Sequence, residues 1–87
     1  MKKILAVDDS ASMRQMVSFT LKNAGFDVTE AKDGQEALDI AKTGGFDVVI
    51  SDVNMPVMDG ISLVQNLRTL PDFKFTPILM LTTEAGT

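Results

Sequence analysis

The chain has 87 residues, with 8 basic and 12 acidic side chains, a formal charge of −4, 45% hydrophobic and 23% charged residues, and neither cysteine nor histidine. That is globular composition at the length of one domain, 1–87, and it excludes disulfide staples, zinc sites and thiol or imidazole catalysis, leaving carboxylate, hydroxyl and amine chemistry. The acidic balance opposes nucleic-acid backbones and anionic membranes, and the apolar run in MKKILAVDD is too short for a signal peptide or a span, so a cytoplasmic home is expected.

Residues 3–8 read as a strand buried on both faces, because Ile4 to Val7 is a continuous apolar run ended by Asp8 and Asp9. Ser10 and Ser12 offer N-caps to a helix with Met13, Met16, Val17, Leu21 and Ala24 at helical spacing, and Gly25 stops it. Phe26 to Ala31 alternates apolar with polar residues and predicts an edge strand. Asp33, followed by Glu36, caps a second helix whose apolar stripe is Ala37, Leu38 and Ala41 and which ends at Gly44-Gly45. Phe46 to Asp52 repeats the first pattern, a β-branched central strand finishing in a carboxylate. Asn54-Met55-Pro56 is loop, and Asp59 caps a third helix containing Ile61, Val64, Leu67 and Leu70, which Pro71 stops. Pro77 to Leu81 is a fourth strand leading into Thr82-Thr83. Met13, Met16 and Met80 are expected to face the core, and Lys2-Lys3 to be a solvated start to the first strand.

The order βαβαβαβ implies an α/β protein with a parallel sheet and right-handed crossovers, whose function lies beyond the carboxyl ends of the strands. Asp8, Asp9, Asp52 and Thr82-Thr83 all fall at that end. Singly, each acidic residue is also an ordinary strand terminator or cap. Together, carboxylates in one pocket repel and raise one another's pKa values, and hard oxygen donors without histidine or cysteine select Mg²⁺ or Mn²⁺. The ion relieves the repulsion and leaves one carboxylate, Asp52, as a nucleophile toward phosphorus. A hydroxyl from Thr82 could then hydrogen-bond the bound phosphoryl group and pull on the following loop.

The motifs ILAVDDS, VVISDVNMPVMDG and PILMLTTE, in this order and spacing, resemble the receiver domain of bacterial two-component response regulators. The SASMR and TTEA segments are similar to those of its single-domain chemotaxis type. The resemblance implies a flavodoxin-like doubly wound sheet and a phosphoacceptor signalling domain rather than a turnover enzyme. Asp52 would be the phosphoacceptor, Asp8 and Asp9 the acidic pocket, and Thr82 the switch hydroxyl. Mg²⁺ would be held by Asp9, Asp52 and the main-chain carbonyl of Asn54, while Asn54 and Glu84 would modulate phosphoryl lifetime. A histidine kinase or phosphotransfer domain would dock near Met13 and Arg14.

A receiver continues past its fourth strand with a helix, a strand and a further helix, so the sheet expected here is incomplete. The family's lysine lies at the end of that later strand, and none of Lys2, Lys3, Lys22, Lys32, Lys42 and Lys74 replaces it by motif. Phosphotransfer is therefore expected to be impaired, and the fourth strand to form an open edge through which chains self-associate. Two enzyme-like relatives fit poorly. An aspartate-nucleophile phosphohydrolase wants Asp-x-Asp, where here the pair is adjacent and Asn54 cannot act as an acid; a flavin site would be repelled by DDSAS. The runner-up is a non-signalling structural piece of the same fold.

Overall fold

Aliphatic and β-branched runs form the strands of this computed structural model, which describes residues 2–52 and 58–81. The strands are β1 (Lys3–Val7), β2 (Asp27–Ala31), β3 (Val48–Asp52) and β4 (Ile78–Leu81). The helices are α1 (Ala11–Asn23), α2 (Gly34–Ala41) and α3 (Gly60–Leu67), with a 3₁₀ turn at Pro71–Phe73. All pairings are parallel and the order is β2-β1-β3-β4, a flavodoxin-like doubly wound sheet. β2 is an edge strand and β3 an interior one, as their alternating and continuous apolar patterns predict.

Side chains alternate across β1. Leu5 and Val7 join a core with Ala37 and Ala41 of α2, Leu63 and Leu67 of α3, Val49, Phe46 and Phe73. Ala6 instead lines a shallow recess with Arg14 and Val17 of α1 and Ile50 of β3. Leu63, Leu67 and Phe73 have no exposed surface, so truncating either leucine to alanine would cost roughly 2–5 kcal/mol.

The helix starts follow their caps. Ser10 Oγ accepts from Met13 N at 3.4 Å, Asp33 Oδ1 from Glu36 N at 2.8 Å, and Asp59 Oδ1 from Ser62 N at 2.7 Å. Glu36 Oε1 reaches back to accept from Lys32 N at 2.9 Å, fixing the turn that leads into α2. Gly25 follows the end of α1 with φ +95, as a C′ glycine does.

Three expectations need correction. Met13 and Met16 do not face the core: they are 38% and 60% exposed, beside Phe19 at 68%. The face of α1 turned to the sheet is Arg14, Val17, Ser18 and Leu21, and buried Ser18 lets the helix lie close. Leu70 lies outside α3, which ends at Leu67; Pro71 forces the preceding residue into the extended region, where Leu70 sits at φ −85 and ψ 131. Lys3 is not simply solvated, because its Nζ stands 4.9 Å from the centroid of the Phe46 ring.

Candidate acidic site

The chain leaves β1 toward β2 on one side and returns from β2 to β3 on the other, so the winding reverses between β1 and β3. Open α/β sheets bind ligands at such a reversal, outside the carboxyl ends of the strands. Val7 pairs with Ser51, which brings Asp8 level with Asp52. Carboxylate oxygens of Asp8, Asp9 and Asp52 lie within 4.8 Å of one another.

Their surroundings differ. Asp8 and Asp52 are 6% and 4% exposed, whereas Asp9 is open to solvent. Main-chain bonds fix the strand ends: Asp8 N donates to Ala31 O at 3.1 Å, and Ser10 N donates to Asp8 Oδ1 at 2.9 Å. Beside them, buried Ser51 donates its hydroxyl to Asp52 O at 2.9 Å. Burial is the chief force pushing the Asp8 pKa above its ordinary 3.8, with the charges of Asp52 and Asp9 adding to it; the Ser10 N–H and the Arg14 guanidinium pull the other way. The repulsion that the sequence suggests thus acts on Asp8, where it ranks below desolvation.

The structure brings Asp8, Asp9 and Asp52 together; Asn54, Thr82, Thr83 and Glu84 lie outside the described residues. Arg14, read from the sequence only as part of a docking face, is tied down internally. Its Nη1 donates to Asp8 O at 2.8 Å and its Nε to Glu30 Oε1 at 3.3 Å. A basic residue in the first turn of a helix that follows an acidic strand end is the sequence signal for such a contact. The donor set, three carboxylates with no soft ligand, fits a hard divalent cation such as Mg²⁺ or Mn²⁺.

Sheet order and acidic switch point define an α/β protein of the flavodoxin-like class with an oxygen-donor site. The response regulator receiver domain family matches residues 4–87, and the chain belongs to that family. It is 49% identical over 84 residues to chemotaxis protein CheY-3 of Vibrio cholerae, covering 95% of this chain and 65% of that protein. It is 44% identical over 86 residues to chemotaxis protein CheY1 of Helicobacter pylori, covering 97% and 69%. The solved structure of the response regulator CheY4 of Vibrio cholerae superposes with a TM-score of 0.94 at 60% identity, covering 99% of this chain and 72% of that one. TrrA of Thermotoga maritima, solved in complex with Mg²⁺-BeF, does so at 0.90 and 33% identity over 98% and 72%. The chain thus spans 65% of the length of the CheY-3 protein it matches. Among the described residues, no helix is long and apolar enough to cross a membrane.

Proposed function

We propose that the chain is a phosphorelay receiver of the chemotaxis type, in which Asp52 accepts a phosphoryl group from a histidine kinase or phosphotransfer domain. The observation that carries this reading is the cluster of Asp8, Asp9 and Asp52 at the sheet's switch point, with Asp52 buried at the end of an interior strand. An Asp52 carboxylate oxygen forms a bond to phosphorus in line with the donor's leaving group. The bond from phosphorus to the donor's imidazole nitrogen breaks, and the nitrogen keeps the electron pair. Asp9, Asp52 and the main-chain carbonyl of Asn54 would hold Mg²⁺ or Mn²⁺, with Asp8 completing the acidic pocket. The ion, when bound, supplies positive charge against the carboxylates and the phosphoryl oxygens. Thr82 donates its hydroxyl to the arriving phosphoryl group and carries the change into the following segment. The complex of the receiver TrrA with Mg²⁺-BeF supports the metal part of this reading.

The product is a modified protein, so the chain acts as a phosphoacceptor rather than as a turnover enzyme. Among the described residues β4 is an edge strand, with Leu79 55% exposed and Phe75 just before it 88% exposed, a surface through which the 87 residues taken by themselves would self-associate.

The test is intact-mass measurement after incubation with acetyl phosphate and Mg²⁺. One phosphoryl group should add to the parent and none to Asp52→Asn; label that survives Asp52→Asn overturns the assignment. Without the lysine that the family carries in a later strand, the 87-residue chain should react more slowly than a version extended to its relatives' length. Loss of one positioned electrostatic group costs on the order of 10²–10³ in rate.

A further inference from the structure

We propose that Arg14 is a positioning residue for the divalent cation, holding the junction of β1 and α1 in the shape that lets Asp9 and Asp52 share a metal. The proposal rests on the reading that these carboxylates bind Mg²⁺.

Arg14 ties three elements together. It stands in the first turn of α1, where its own N–H donates to Ser10 O at 2.9 Å. From there Nη1 reaches the Asp8 carbonyl at the end of β1, at 2.8 Å, and Nε reaches Glu30 in β2, at 3.3 Å. The Asp8 carbonyl belongs to the planar peptide that joins Asp8 to Asp9. Fixing that oxygen fixes the plane from which the Asp9 backbone departs, and hence the direction in which its carboxylate is offered. The other side of the turn is held by Ser10 N on Asp8 Oδ1, so the guanidinium and the Ser10 amide grip one residue from two directions. The planar fork of arginine suits this double contact; a lysine ammonium has no such geometry.

Charge alone argues against an arginine here. A guanidinium bonded to Asp8 repels a cation bound by the neighbouring carboxylates, so on Coulomb grounds its removal tightens Mg²⁺ binding. The positioning role has the opposite sign. Groups that orient metal ligands from behind typically contribute 10–100-fold in affinity. An effect of that size outweighs a screened repulsion, and the direction of the change separates the two accounts.

Mg²⁺ titrations by calorimetry on the 87-residue parent, Arg14→Met, Arg14→Lys and Asp9→Ala decide it, with circular dichroism to check folding. Arg14→Met, which removes both charge and hydrogen bonds, should weaken Mg²⁺ binding about tenfold or more. Arg14→Lys keeps the charge and most of the stem, so it should stay folded even if Arg14→Met does not, and it should weaken binding severalfold. The Ser10 amide, followed by hydrogen exchange in the metal-free protein, should lose protection in both variants. An Arg14→Lys variant that binds as tightly as the parent, or a folded Arg14→Met variant that binds as tightly or more tightly, overturns the proposal. Failure of the metal reading itself looks different: the parent does not bind Mg²⁺, or Asp9→Ala binds it as well as the parent.

Discussion

Replacing Gly34 by alanine should destabilise the protein, although helix propensity alone says the reverse. Gly34 is the first residue of α2, and an alanine in a helix gains roughly 0.5–1 kcal/mol over glycine through propensity and a less flexible unfolded chain. Its Cβ, however, would stand 2.5 Å from the Met58 carbonyl oxygen and 2.6 Å from the Met58 Cβ. Neither atom can swing aside as the tip of a side chain can, so the Met58 backbone, just before α3, or the start of α2 must shift. Overpacking costs roughly 1–3 kcal/mol, and contact with main-chain atoms belongs in the upper part of that range. The net loss is then about 1–2 kcal/mol, which in a domain of this size lowers Tm by roughly 4–16 °C.

The chain has neither tryptophan nor tyrosine, so unfolding is best followed by circular dichroism in urea and on heating. Gln35→Ala, at the next and exposed position of the same helix, serves as the control and should stay within about 0.5 kcal/mol of the parent. A Gly34→Ala protein as stable as the parent, or more stable, would show that the segment at Met58 yields freely to α2 and would refute this reasoning.

Asp8→Asn should stabilise the metal-free protein in a pH-dependent way. Because the folded Asp8 pKa is raised above 3.8, its favourable contribution is complete below that pH and is lost as pH rises through the folded value, so the variant's advantage grows toward neutrality. Denaturant curves in chelator at both ends of the range check this, and an equal gain at each end refutes it. Asp59 has the opposite sign: the N–H and side chain of Ser62 hold its pKa below 3.8, so Asp59→Ala should lose stability at neutral pH and approach the parent in acid. No difference at neutral pH would count against the cap. Leu79→Lys should convert an associating 87-residue chain into a monomer by sedimentation equilibrium, and a parent that is monomeric at every concentration removes the basis for that expectation.

Much of the fold was legible because its signals are local. The runs at Ile4–Val7 and Val48–Ile50 differ from the alternating pattern around Val28, and that difference separates interior strands from the edge. Asp33 and Asp59 announce their helices because a short carboxylate satisfies an amide that the helix itself cannot. The three clustered carboxylates were legible for a topological reason: in a doubly wound sheet, the residues ending β1 and β3 must be neighbours. What failed was non-local. Met13 and Met16 share helical spacing with Val17 and Leu21, yet periodicity names a stripe and not its rotation about α1. That rotation is set by Arg14, anchored to Asp8 and Glu30, and by the small Ser18. Nothing local in the sequence marks Gly34 as crowded; only Met58, distant in sequence and lying against it, does so.

The site is built on strain between charge and burial. Asp8 and Asp52 are carried on interior strand ends and buried, so they are held close before any ligand arrives, and desolvation and mutual repulsion act on Asp8 throughout. A floppy loop would let such carboxylates separate; here the Asp8 main chain is bonded to β2 and its carboxylate accepts from the Ser10 amide at the start of α1. The cost is therefore stored in the metal-free fold instead of being relaxed away. Anything that neutralises the pocket recovers that cost, which makes cation binding and folding stability two sides of one equilibrium. On this logic the rigidity that keeps the carboxylates close would favour a hard cation bound as proposed.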